Sequence, residues 1–175
     1  MNKILKYTKA NVRVSDVESG CLLFTDSNLF LDSGRAFIAD SWRNAITTGA
    51  GFIDGTKFAC DFGDDSETPA PDNIDLASFI TDAGGGVPAS IALAVAAMSG
   101  EPTGLSFTGS FSPIDSVDIR ELGLFYRNIG SVPAYVRGAV PATDYGVMIA
   151  RLRTTYGKIT VGAGKSIAVE WKIIF

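Results

Sequence analysis

Ser166-Ile167-Ala168-Val169-Glu170-Trp171-Lys172-Ile173-Ile174-Phe175 is the stretch that decides how the rest of the chain is read. Ile167, Val169, Trp171, Ile173 and Phe175 share one parity, while Ser166, Ala168, Glu170 and Lys172 share the other. Only Ile174 breaks the polar side. Successive side chains of a strand point to opposite faces, so this alternation predicts a half-buried β-strand. Chain ends fray into solvent unless they are tied down. An end this rich in bulky apolar residues is therefore expected to be integral to a sheet, as a central strand.

Upstream, the same period recurs in short runs separated by Gly, Pro and Asp. Val12 and Val14 alternate, and Leu22, Phe24, Leu29 and Leu31 surround the turn-like Asp26-Ser27-Asn28. Lys57–Phe62, Leu105–Phe111, Ala134–Val140, Val147–Thr154 and Lys158–Val161 each read as strands. In Pro88–Met98 the alanines favour helix, yet Ile91, Leu93 and Val95 alternate; we expect a strand that pairs in a hairpin with Leu105–Phe111. Val117–Tyr126 changes parity between Ile119 and Leu122, which predicts a bulge or a change of buried face around Gly123. One segment has helical spacing: Phe37, Ile38, Ser41, Trp42, Ala45 and Ile46, with Asp32 or Ser33 to cap it and Thr47–Gly51 to end it. The expected fold is all-β, a mainly antiparallel β-sandwich with one amphipathic α-helix near residues 34–46 covering one opening.

Composition agrees with this fold. In 175 residues there are 19 Gly and 11 Phe, and only 19% are charged, which suits a turn-rich β protein better than a helical bundle. The net charge of −4 lacks the basic footprint a general nucleic-acid binder needs. No apolar stretch of about 18 residues is present to span a membrane, and the start of the chain has no apolar signal core. Cys21 and Cys60 both sit among apolar residues and are expected as buried free thiols, although a bridge between them remains open.

Charge is unevenly distributed. Asp61, Asp64, Asp65, Glu67, Asp72, Asp75 and Asp82 follow one another with no Lys or Arg between them, whereas the first thirteen residues carry Lys3, Lys6, Lys9 and Arg13. Solvated loops account for such runs. They also suit head-to-tail contacts between copies, with Lys3, Lys6, Lys9, Arg13, Asp64, Asp65, Glu67 and Asp72 as candidate assembly contacts.

Chemistry finds little support. Gly162-Ala163-Gly164-Lys165-Ser166 looks like the end of a phosphate-binding loop, but Ile159 stands where the motif needs its first glycine, and a strand follows instead of a helix. It reads as a hairpin turn. Asp61, Asp64, Asp65 and Glu67 invite calcium, but their spacing does not match a twelve-residue calcium loop, so a solvated turn is preferred. The chain has no histidine, which removes the commonest general base, and nothing selects a pair of catalytic carboxylates. Trp42, Tyr126, Tyr135 and Trp171 could stack sugars if exposed, but both tryptophans lie on the apolar side of their elements.

The order of several motifs resembles a known family. Asn28-Leu29-x-Leu31-x-x-Gly34-Arg35 opens the helix, and Phe62-Gly63-Asp64 leads into Thr68-Pro69-Ala70-Pro71. Ile119-Arg120-Glu121-Leu122-Gly123-Leu124-Phe125, Tyr135–Val140 and the closing strand around Trp171 follow. Residues 28–175 look like the small β-sandwich structural proteins of tailed bacteriophages, and the first 27 fall outside as an extended arm or extra hairpin. The resemblance implies a virion component made in the host bacterial cytoplasm, with no enzymatic activity and no cofactor. It would work in many copies, as a ring or symmetric oligomer, against portal, adaptor, tail or capsid proteins, and not against nucleic acid or membrane. Its position would be the head–tail neck or collar or the tail; capsid decoration, or a module binding host-surface carbohydrate, is the alternative.

Overall fold

The computed structural model describes residues 9–27, 29–48, 57–65, 67–72, 76–80, 89–101, 103–126, 147–154 and 157–174; Lys9, Asp40 and residues 42–48 are described as backbone only. The closing strand, β12 (Ile167–Ile174), is the middle strand of a five-stranded antiparallel sheet. It is flanked by β1 (Lys9–Asp16), which pairs outward with β2 (Leu22–Ser27), and by β7 (Gly104–Phe111), which pairs outward with β6 (Ala94–Ala97). The register sets Trp171 between Val12 and Phe107. Ile167, Val169, Trp171 and Ile173 are buried, and the residues between them are half-buried, as the alternation requires. Trp171 is wholly inaccessible and its indole N–H finds no acceptor among the described residues, so the ring acts as apolar bulk.

Facing it is a second antiparallel sheet, in the order β3 (Leu29–Phe30), β10 (Val147–Arg153), β9 (Glu121–Tyr126), β4 (Phe58–Gly63), β5 (Ser90–Ala92). The inner faces meet ring to ring. Phe62 stacks on Phe111 with centroids 4.4 Å apart, and Phe58 meets Phe107 at 4.8 Å. A continuous core runs through Val12, Val14, Phe24, Cys60, Leu122, Leu124, Leu152 and the inward side of β12. Val12 and Val14 of the β1–β2 hairpin therefore lie in the same core as Trp171.

At both flanks the chain steps from one sheet to the other. After β2 it passes directly to β3, and after β5 it passes through the buried Leu93 to β6. The expected strand at Pro88–Met98 is thus two strands: β5 pairs with β4, and only β6 pairs with β7. Leu93 forces the switch because its side chain enters the core while its neighbours stay at the rim. Gly109 on β7 makes room for the crossing, since a β-carbon there would lie 3.0 Å from the Ala92 carbonyl oxygen.

The expected change between Ile119 and Leu122 is a break at Arg120, with Gly123 inside the strand that follows. Arg120 separates β8 (Val117–Ile119), paired with β11 (Ile159–Val161), from β9. The Arg120 N–H bonds to the Gly63 carbonyl and its own carbonyl accepts the Thr154 N–H, so this residue turns the chain out of one ladder and into another. The Gly162–Ser166 segment is a tight turn with Gly164 at φ 69°, but it is not a hairpin, because β11 and β12 pair with different partners. The strand expected at Ala134–Val140 lies outside the described residues.

The helix, α1, spans Asp32–Thr48, longer at both ends than the expected 34–46. Asp32 and Ser33 lie within its first turn. The Asp32 N–H bonds to the Pro71 carbonyl, and the Ser33 hydroxyl donates to the Met148 carbonyl at 2.6 Å. Phe37 packs on Tyr126, centroids 4.5 Å apart, at the Phe58–Phe107 end of the sandwich. Gly34 lies flush against β10: a β-carbon there would sit 2.5 Å from the Ile149 carbonyl oxygen, a backbone atom that has little freedom to yield. We expect Gly34→Ala to cost about 1–3 kcal/mol through this overpacking, and Trp171→Ala about 3–5 kcal/mol through the cavity it leaves. Urea denaturation of both variants checks the two figures.

Candidate assembly surfaces

Register places Asp61, Gly123 and Arg151 in one row of the second sheet, and Gly63, Glu121 and Arg153 in the next. Directly opposed residues share a face, and this is the outer one, since Cys60, Phe62, Leu122, Leu124 and Leu152 point into the core. On an open sandwich that face meets water. Here Asp61, Glu121 and Arg151 are buried instead, and residues following β4 lie against these rows: Ser78 packs on Gly63 and Leu76 on Gly123.

Glu121 anchors those residues. Its carboxylate accepts from Arg151 Nε at 2.9 Å and Nη2 at 2.6 Å, and from the Ser78 and Ala77 N–H groups at 2.9 and 3.4 Å. Arg151 Nη1 reaches the carboxylate of Glu67 at 3.5 Å, and Arg153 donates to the Thr68 hydroxyl. Leu76 adds apolar contact in a second small core with Leu31, Phe125 and Met148. The described residues that follow β4, 64–65, 67–72 and 76–80, thus form a strap held by a buried ion pair and a small apolar cluster. A buried pair of this kind contributes little net stability against an apolar equivalent, but removing one partner strands the other.

Burial pushes the Glu121 carboxyl above its ordinary range, even though the hydrogen bonds from Ser78 and Arg151 pull the other way. A carboxyl whose pKa is raised by folding binds its proton more tightly in the folded state. Its contribution to stability is therefore present below the unfolded pKa of about 4.3 and is lost as pH rises through the folded value. Glu121→Gln removes this contribution. The stability of the wild type relative to that variant is expected to rise as pH falls from about 7 toward about 4. Glu121→Ala is expected to cost about 3–5 kcal/mol at neutral pH by removing the buried carboxylate that Arg151 pairs with. Denaturation curves across pH test both.

The candidate contact residues fall on opposite sides of the molecule. Asp64 and Asp72 are exposed on the strap. Asp65 is half-buried and accepts the Glu67 N–H at 2.6 Å, and Glu67 is exposed apart from its contact with Arg151. Asp61, one of the four acidic residues suggested as calcium ligands, is buried on β4, whereas Asp64 and Glu67 are exposed. Among the described residues no cluster of three or more His, Cys, Asp or Glu is placed to hold a metal. Arg13 is exposed on the outer face of the first sheet, opposite Glu170 in the β1–β12 register. Lys9 lies on the same strand at the Ile174 position, and Lys3 and Lys6 lie outside the described residues.

A third surface went unnoticed in the sequence. The large apolar side chains exposed among the described residues are Val17, Leu22, Leu23 and Ile114. All belong to one end of the sandwich, opposite the end where Phe37 packs on Tyr126. The Val17 N–H bonds to the Ser166 carbonyl, and the Ser166 hydroxyl meets that of Ser112, two residues before Ile114. The available signal was the adjacent pair Leu22-Leu23, which breaks the alternation. Leu23 is the extra residue of a bulge opposite Val14 and Ser15. Cys21 sits at this tip and is exposed, whereas Cys60 is buried; both are free thiols. Cys21 was expected inside because its neighbours are apolar, but those neighbours are themselves outside. Tyr126 is engaged by Phe37 and Phe58, Trp171 is buried, and Tyr135 lies outside the described residues. No described helix is long and apolar enough to cross a membrane.

Compared with known protein families, curated proteins and solved structures, the chain matches none.

Proposed function

We propose that this chain is a non-enzymatic structural protein of a tailed-phage virion, assembling in multiple copies at the head–tail neck or collar or in the tail. The gathering of Val17, Leu22, Leu23 and Ile114 at one end of the sandwich carries this reading. Exposed apolar side chains scattered singly are ordinary, but grouped ones mark a protein contact. The motif order from Asn28 to Phe175 supplies the phage context. The end so marked would meet another virion protein, with portal, adaptor and tail proteins the candidates.

Particles purified from a host carrying the encoding genome provide the test. Mass spectrometry is expected to find the chain in stoichiometric multiples, and labelled particles to show it at the neck or tail. Labelling over the capsid shell would select the decoration reading, and absence from particles would remove the virion reading altogether. Leu22→Asp combined with Ile114→Asp is expected to reduce incorporation at least about tenfold. Both positions are exposed, so folding stability should change by no more than about 1 kcal/mol.

A further inference from the structure

We propose that the outer face of the first sheet receives the acidic strap of a second copy, with Arg13 paired to the neighbour's Asp64 and Asp72. The proposal rests on the multi-copy reading and names the surfaces through which copies meet. Three observations bear on it.

Arg13 stands near the middle of a broad sheet face, on a strand flanked by β2 and β12. Two shallow depressions, of about 360 and 420 Å³, lie on either side of it. Ser15, Thr108, Ser110 and Glu170 line one, and Asn11, Thr25, Asp26, Ser27, Glu170 and Lys172 line the other. An exposed guanidinium suits carboxylates, which it binds through two parallel N–H bonds.

Arg13 has no hydrogen bond or ion pair among the described residues. Glu170, its cross-strand neighbour, is engaged by Lys172 at 3.1 Å and by the Ser106 hydroxyl at 3.3 Å. Asp64 and Asp72 likewise have no partner among the described residues, although the strap carrying them is pinned by Glu121 and Arg151. Each side thus offers exposed charge without a partner among the described residues, Arg13 on one and Asp64 and Asp72 on the other.

The two faces back onto each other across the sandwich core. A contact between the Arg13 face of one copy and the strap of the next is therefore heterologous. Repetition gives a ring if the rotation closes and an open stack if it does not. Charge pairing of this kind sets register and steers encounter, and salt weakens it.

Sedimentation velocity of the full chain over a concentration series, at low and high salt, tests the proposal. Wild type is expected to self-associate at low salt and to dissociate as salt rises. Arg13→Glu, and separately Asp64→Arg with Asp72→Arg, are each expected to weaken association at least about tenfold. All three substitutions in one chain restore opposite charge on the two faces, and are expected to recover association. Circular dichroism melts confirm that each variant folds. Association that persists unchanged in both single-face variants would overturn this surface and leave the multi-copy reading standing. A wild type that stays monomeric at every concentration and salt would overturn both. If Arg13→Glu lowers incorporation into particles but leaves self-association unchanged, the partner is an acidic segment of a different virion protein, and the second-copy proposal fails.

Discussion

The rest of the structure depends on the apolar side of β12, which is buried under a facing sheet while its backbone is paired on both sides. Ile167, Val169, Trp171 and Ile173 form a row that water cannot reach, and β1 and β7 hold the strand that carries it. Each such side chain contributes about 1.5–3 kcal/mol when removed from water. That requirement draws in Phe58, Phe62, Leu122 and Leu124 from the opposite sheet and fixes their parity. Where the chain must leave one sheet for the other, a core residue such as Leu93 and a close approach such as Gly109 permit it.

Burying one face of the second sheet would leave its other face in water, yet β9 is buried on both. Glu121–Phe125 is inaccessible at every position, polar and apolar alike. A buried carboxylate without partners is costly, so Glu121 collects Arg151 and two strap amides. The same contacts hold Ala77 and Ser78 of the strap that also carries Asp64 and Asp72. Electrostatics in the interior thus helps to hold a strap that carries exterior charge. One broad face carries acidic residues on a pinned strap and the other carries Arg13 on a paired strand, with an apolar tip between them at one end.

Much of this was legible in the sequence. The strands expected at Val12–Val14, Lys57–Phe62, Leu105–Phe111, Val147–Thr154 and in the closing ten residues follow from period two, and the helix follows from its own spacing. The misplacements share a physical cause. Alternation reports which side of a strand is buried, but not which sheet does the burying. Pro88–Met98 therefore read as one strand although it serves two sheets. Cys21 read as interior because apolar neighbours usually share a core, but at this tip its neighbours Leu22 and Leu23 are themselves exposed, Leu23 as the extra residue of a bulge on an edge strand.

The candidate contacts divide in the same way. Sequence by itself determined the fold class, the central closing strand, the helix and the separation of acidic from basic residues, because periodicity and composition are local properties of the chain. Only tertiary structure decided that Asp61 is buried on β4 while Asp64 and Asp72 are exposed. It alone placed Arg13 on the opposite face and gathered Val17, Leu22, Leu23 and Ile114 at one end. Those placements depend on strand order and on which face a loop covers. Both are set by pairings between residues far apart in the chain, which no local pattern records.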